Sequence, residues 1–475
     1  TGGRGTTDGA PPPFCLSLRA RVSPRLDAIE GVTVTTAASG AESSGQGSTQ
    51  IRFTTRSGSN SFSGSGYYYY QNDRLNTNTY FNKVRGLPKN EFLQRQPGVR
   101  VGGPVMLPGI YDGRGKAFFF VNYEENRTPR NITTTSTFLN QNAMNGLYSY
   151  ETSTGVRTTD LFALAAANGR VSTPDPVVSA LLRDIFATTG GGVVENLDGN
   201  FNAERLVFQQ KAAGLTRYPT IRMDYNLSNA HRLSGSWNFN DLVSRPDTTN
   251  SRQPTFPGFP VTGAQISDRY TFQTTLRSTF SSNLVNEFRY GMSGGATQFS
   301  PDLDPTMWKG ALASQGGFDL NISGAGVTDA GGSGGVSARE ASTKFIESNL
   351  TWLRGSHSIT SGFNFTAADV WLLTQTRVPT VDFDVVTGAP ALTMFSSGNF
   401  PGSSTAQRTS ARRLYAVLTG TVSQIAGTGR LSASTGEYVY NGDSRQEGRL
   451  RQLDFFVQDQ WRALPNLSIT AGLRY

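Results

Sequence analysis

From Ser61 onward the sequence is written in segments of about ten residues in which apolar and polar side chains alternate strictly. Side chains on a β-strand point to opposite faces in turn, so each segment presents one apolar and one polar face. In 231–240, Leu233, Gly235, Trp237 and Phe239 oppose Arg232, Ser234, Ser236 and Asn238. In 269–278, Tyr270, Phe272, Thr274 and Leu276 oppose Arg269, Thr271, Gln273, Thr275 and Arg277. Segments 284–293 and 466–475 repeat the pattern, and 61–70, 92–103, 116–126, 218–226, 344–353, 357–367 and 452–462 resemble them, giving eleven predicted strands.

Alternation alone fits a soluble sandwich as well as a membrane barrel. The connections separate the two. Short ones (104–115, 227–230, 281–283, 354–356, 463–465) take turns with long ones (71–91, 127–217, 241–268, 294–343, 368–451) along the whole chain. In an up-and-down barrel every short turn then falls at one rim and every long loop at the other, as in outer-membrane barrels. A compact soluble domain rarely carries several loops of such length. The fold class expected is all-β, an antiparallel up-and-down outer-membrane barrel. Charge agrees. The predicted lipid faces carry essentially no Arg or Lys, which would cost about 2–4 kcal/mol at the bilayer midplane. Asp459 is the exception, beside a short turn. Phe280, Trp352 and Trp461 also precede short turns and predict an aromatic girdle at the periplasmic interface.

Composition narrows the alternatives. Only 16% of residues are charged while 11% are aromatic, which excludes a disordered chain. No apolar run approaches the ~20 residues of a membrane helix. The net charge is +8, and all but six of the 43 basic residues are arginine. The arginines are scattered between apolar neighbours rather than clustered, so nucleic acid is not the expected partner. The single cysteine, Cys15, allows no internal disulfide, and His231 and His357 stand apart, so no metal site is expected. There is no phosphate-cradling Gly-x4-Gly-Lys-Ser/Thr loop. A formal Gly-x-Ser-x-Gly match at 331–335 sits in a glycine tract without strand–turn–helix context. Asp302 and Asp304 lack the rest of a calcium loop. Glu124 and Glu125 are adjacent on a strand and point to opposite faces, so they make no catalytic pair. No enzyme, and no cofactor, is expected.

Residues 1–60 differ: a Gly/Pro-rich opening, then 26–36, then a small-residue run at 37–47, reading as two or three short strands without a core of their own. Within the long loops, 160–167 and 176–187 suit short helices. The stretch 322–337 is Gly/Ser-rich and expected to be mobile. Residues 410–425 suit either a strand pair or a helix.

Several stretches resemble TonB-dependent outer-membrane receptors of the Oar-like type, common in Acidobacteria. DAIEGVTVTT at 27–36 resembles the late part of that family's plug domain. AESSGQGSTQIRFTTRSGSNSFSGSG at 41–66 is similar to its plug-to-barrel junction, with Thr55, Arg56, Ser57, Gly58, Asn60, Phe62 and Gly64 in the characteristic phrase. YYYYQNDRLNTNTYFN at 67–82, GGP at 102–104, AFFFVNYEENR at 117–127 and FVQDQWRALPNLSITAGLRY at 456–475 follow in family order. The junction departs from the family in having Gln46, Gly47, Ser48, Thr49 and Gln50 where Gly-Gly-x-Ile-Asn is usual.

The resemblance implies a plug remnant (1–60) followed by the N-terminal half of a 22-stranded barrel (61–475). An odd count of eleven strands, where bacterial barrels have even counts, and a family motif that continues past Tyr475 lead us to read the chain as truncated at both ends. The implied activity is import of a scarce extracellular solute. It would be driven by the TonB–ExbB–ExbD complex, in a protein inserted by the barrel-assembly machinery among outer-membrane lipid and lipopolysaccharide. Tyr80, Phe81, Trp308 and Trp371 are the ligand-binding candidates. The alternatives are a passive porin or adhesin-like barrel, against which the plug-like segment counts, and a soluble carbohydrate-binding or glycosidase domain. The last would need paired carboxylates in a cleft.

Overall fold

The computed structural model describes residues 4–7, 25–36, 41, 49–261, 263–299, 318–331, 335–376, 378–432 and 435–475. All eleven predicted strands are present and pair in chain order as one antiparallel meander. They are β1 (Ser63–Asn72), β2 (Leu93–Pro104), β3 (Ala117–Leu139), β4 (Asn200–Asn226), β5 (His231–Arg245), β6 (Gln265–Ser281), β7 (Leu284–Phe299), β8 (Gly335–Arg354), β9 (His357–Thr376), β10 (Asp443–Leu464) and β11 (Leu467–Arg474). A twelfth strand, Val193–Leu197, pairs with the upper part of β4. β1 and β11 are the two edges of this wall.

The wall buries its polar side. Asn122, Glu124, Thr220, Asp224, Asn238, Gln273 and Thr343 are buried on one face, while Val99, Ile221, Met223, Leu233, Phe288, Leu453, Phe455 and Val457 are exposed on the other. A water-soluble sandwich does the reverse; apolar-out and polar-in is the arrangement that lipid demands. On β10 the outer apolar residues run from Trp461 up to Leu453 and end at Arg451. Eight residue steps at ~3.3 Å give about 26 Å of strand, comparable with the ~25 Å band of outer-membrane barrels. On β3, β4 and β5 the outer face carries its own charged level, with Glu125, Arg127, Arg217 and Asp241 linked as ion pairs.

Two charges interrupt the outer face. Asp459 is met by His357, Nδ1 to Oδ2 2.6 Å, and the imidazole stacks on Trp461. Lys344 must be added to the single exception that the sequence suggested. It faces outward opposite Met292, one residue pair below the level of Asp369, where a long aliphatic stem can carry its ammonium to the headgroups.

The strands outrun the membrane. β3 and β4 stay in register from Ala117–Tyr225 to Leu139–Ala203, so much of the expected 127–217 loop is strand. The described parts of the long connections are not structureless either. Those of 127–217, 241–268, 294–343 and 368–451 fold together into a cap at the long-connection rim around the main hydrophobic core. Phe138, Leu181, Phe208, Phe256, Ile322, Val378, Phe400 and Tyr415 all belong to it. Helices α1 (Tyr80–Val84), α2 (Gln141–Met144), α3 (Leu161–Ala167), α4 (Pro176–Ala187) and α5 (Thr405–Leu418) lie in the long connections.

The caps on these helices were written locally. Asp160 and Asp175 accept from the first backbone N–H groups of α3 and α4, satisfying orphan donors. Ser404 and Gln407 form a reciprocal capping box on α5. Residues 410–425 are thus the end of a helix followed by the start of the strand Val422–Ala426. Of the stretch 322–337 expected to be mobile, 332–334 lie outside the described residues, and the described part packs: Ile322, Val327 and Ala330 are buried in the cap.

Candidate functional site: the lumenal wall and the segment docked on it

Residues 4–7, 29–36 and 49–55 form a separate three-stranded sheet in which 49–55 is central. This segment is held to the polar wall by charge. Arg25 pairs with Glu124 at 2.5 Å and lies over the ring of Tyr218. Glu124 also accepts from the Tyr67 hydroxyl at 3.1 Å. Asp27 accepts from Tyr69 at 2.8 Å and faces Arg100 at 3.7 Å. At the other edge of the wall the backbone of Ala41 bonds to Gln458 and Arg474. The segment therefore touches β1–β4 on one side and β10–β11 on the other.

A carboxylate as enclosed as Glu124, 1% exposed, is tolerated only when paired and hydrogen-bonded. As expected from adjacency, Glu125 points outward, to Arg127 and Tyr123. The sequence reading did not single out the Arg25–Glu124 pair. The available signal was an acid on the lumenal parity of a barrel strand, where nothing but a partner justifies it.

The residues expected at a plug-to-barrel junction run along the short-turn ends of β2 and β3. The buried Thr55 offers its carbonyl to Arg222 at 2.5 Å, and the Arg56 amide donates to Ala28. Beyond Ser57, a Cβ at Gly58 would lie 2.3 Å from the Phe119 carbonyl, so the close approach requires glycine. Asn60 accepts from the Gly115 amide. Phe62 packs over Gly103 and against Phe119. A Cβ at Gly64 would come within 2.9 Å of the Arg100 carbonyl.

Phe280, Trp352 and Trp461 all face outward next to short turns. His231 meets the Phe280 ring edge-on, and Arg354 lies over Trp352. Tyr80 and Phe81 sit on α1 at the long-connection rim, exposed, in edge-to-face contact at 5.6 Å. Trp371 requires correction. It is not in a loop but on the outer face of β9, donating to Glu340 at 2.9 Å with Arg445 over its ring. Strand parity aims it away from any lumenal solute. Trp308 lies outside the described residues. Among the described candidates, Trp371 is therefore not brought to Tyr80 and Phe81.

Two hollows accompany the wall. One of about 510 Å³ is lined by Tyr68, Val99, Tyr123 and Glu125 beside Tyr67 and Gly98; its outward-facing residues assign it to the lipid side. The other, about 400 Å³, lies on the lumenal face beside the docked segment, with Thr54, Arg222, Gln273, Arg277, Glu287 and Arg289 in its lining. In the cap, Asp319 is buried with Oδ1 unpartnered. Burial raises the proton affinity of both Asp319 and Asp329, and each is raised further by a neighbouring carboxylate. Among the described residues no three His, Cys, Asp or Glu side chains converge as a metal site.

The family model described as "Outer membrane beta barrel domain" matches residues 54–475. Among solved structures, the chain resembles the outer membrane transporter YddB from Escherichia coli, with 9% identity, TM-score 0.49 and coverage of 99% of this chain and 48% of that one. It also resembles a mutant of the ferric enterobactin receptor PfeA from Pseudomonas aeruginosa, with 12% identity, TM-score 0.45, and 99% and 48% coverage. A third is the siderophore receptor PiuA from Acinetobacter baumannii, with 9% identity, TM-score 0.38, and 98% and 56% coverage. The chain spans about half the length of these proteins. No curated protein matches its sequence.

Proposed function

The chain belongs to the outer membrane beta barrel domain family and resides in the bacterial outer membrane; on that premise we propose that it serves energy-coupled import of an extracellular solute, with residues 1–60 as the end of a plug and 61–475 as part of a closed barrel. The observation that carries this reading is the docked segment. It lies against the polar face, tied to β1–β4 through Arg25 and Asp27 and to β10–β11 through Ala41. An open porin has no use for such an obstruction; an importer needs one that can be displaced. The polar ties suit that role, because charged contacts can be exchanged for water at far lower cost than a packed apolar core.

On this reading the long-connection rim is extracellular, and Phe280, Trp352 and Trp461 form the periplasmic girdle. The TonB–ExbB–ExbD complex supplies the work of displacing the plug. The barrel-assembly machinery inserts the protein, and outer-membrane lipid and lipopolysaccharide surround it. Tyr80 and Phe81 remain the solute-facing aromatics of the rim.

The test has two parts. A band from the outer-membrane fraction that shifts its gel mobility on boiling supports the closed barrel; its absence refutes it. Solute accumulation that collapses with a protonophore supports energy coupling, whereas uptake indifferent to the protonophore means a passive pore.

A further inference from the structure

The hollow of about 400 Å³ on the lumenal wall falls within the size range of small-molecule sites. Its charges are unevenly committed. Arg222 is engaged by Asp224 at 2.9 Å and by the Thr55 carbonyl. Arg289 is engaged by Glu287 and by Glu347 at 3.2 Å. Arg277 is different. Directly across from it stand Arg232 on β5 and Glu287 on β7; Arg232 is a like charge already paired with Asp224, and Glu287 is taken by Arg289. Arg277 itself makes no hydrogen bond or ion pair with any described residue. Beyond Thr275 on the same face, Gln273 is 5% exposed and its Oε1 has no partner; its amide nitrogen donates to Thr275 at 3.2 Å.

A free guanidinium presents a planar fork that suits a carboxylate or phosphate. A buried amide oxygen without a donor asks for a hydroxyl. Ser234, Ser236 and Thr275 line the same space with further hydroxyls. We infer that this hollow binds an oxyanion that also carries hydroxyl groups, of the sugar-acid kind, with Arg277 holding the anion and Gln273 accepting from an adjacent hydroxyl. Because Thr54 of the docked segment forms part of the lining, a solute here touches wall and segment at once. Displacing the segment opens one side of its site. The inference deepens the importer reading and rests on it for the meaning of the site, but not for its existence.

The test is calorimetric titration of the purified protein in detergent with digalacturonate and with its fully methyl-esterified form, which keeps the hydroxyls and removes the charge. The acid should bind, the ester at least ten-fold more weakly, and Arg277→Gln should weaken the acid at least ten-fold while leaving the ester's weak binding unchanged. Arg277→Lys, which keeps the charge and loses the fork, should fall between. Since Arg277 supports no other described side chain, the heat-shifted band of Arg277→Gln should match that of the parent. Equal binding of acid and ester, no binding of either, or an unaffected Arg277→Gln overturns the site. Protonophore-sensitive uptake that ignores Arg277→Gln would leave the importer standing without this site. Arg277-dependent binding with no energised uptake would leave the site without the importer.

Discussion

Ile221 and Leu233 offer a direct test of what surrounds the wall. Both lie on its outer face, on the adjacent strands β4 and β5, and both are 39% exposed. By solvent exposure they are equivalent, and on a water-facing sheet replacement of either by arginine would change stability by no more than ~0.5 kcal/mol. Their depths differ. Ile221 stands midway between Tyr225 near the short-turn end and Arg217 at the charged level, opposite Val121 and Trp237. Leu233 lies two residues from His231, at the height of Tyr225. In lipid, an arginine at the midplane costs about 2–4 kcal/mol and near the interface about 0–1. Ile221→Arg should therefore lower the folded-to-unfolded ratio by about 30- to 700-fold, at ~1.4 kcal/mol per ten-fold, while Leu233→Arg stays within about five-fold. The measurement is reversible guanidinium unfolding of the protein in phospholipid vesicles, followed by tryptophan fluorescence. If the two variants differ by less than ~0.5 kcal/mol, the outer face does not meet hydrocarbon, and the reading of the wall fails.

Three other outcomes are expected. Arg25→Ala strips Glu124 of its cation, leaves the carboxylate enclosed with the Tyr67 hydroxyl, and should cost about 1–3 kcal/mol. Faster proteolysis within 25–56 should report it, and restoration by the double variant with Glu124→Gln would attribute the loss to the stranded charge. Phe400→Ala removes a fully buried ring packed on Tyr148, Tyr150 and Phe395 and should destabilise the cap by about 3–5 kcal/mol. Trypsin should then cut the cap connections while the boiled-versus-unboiled gel shift persists. Asp319 and Asp329 have proton affinities raised in the folded cap by burial and by neighbouring carboxylates. Their contribution is present below the ordinary carboxylate range of about pH 4 and is lost as the pH rises through neutrality. The cap should resist protease better at acid than at alkaline pH, and Asp319→Asn should flatten that dependence.

The wall was legible because each strand repeats one rule, with alternation setting the faces and turn length setting the rims; even Glu124 and Glu125 fall where parity puts them. The upper reaches of β3 and β4 were not, because above the charged level the outer residues meet water and the alternation lapses: Thr133, Thr134 and Thr135 carry no face signal. The cap was legible only in pieces. Asp160 and Asp175 mark the starts of α3 and α4 locally, but the contact of Tyr415 with Val171 or of Tyr148 with Gln407 joins residues that no local pattern connects. Trp371 was misplaced for the same reason, since the length of β9 beyond 367 depends on its pairing with β8 and β10 rather than on its own sequence. The stretch 54–64 stood out through resemblance alone, and the close backbone approach at Gly58 is a physical reason for one of its glycines.

The cap has a bearing on the order of assembly. Its core draws on segments from Phe138 to Leu418, each delivered by a different hairpin. Bringing such distant pieces together is slow, and none of them is adjacent until the hairpins from β3 to β10 stand in register. The cap is thus expected to form last, closing over a wall whose strands are correctly aligned. A slip of one residue in any of these hairpins would turn its connection's apolar residues away from the shared core. Resistance of the cap to protease is therefore an outside readout of whether the strands in the membrane have found their proper neighbours.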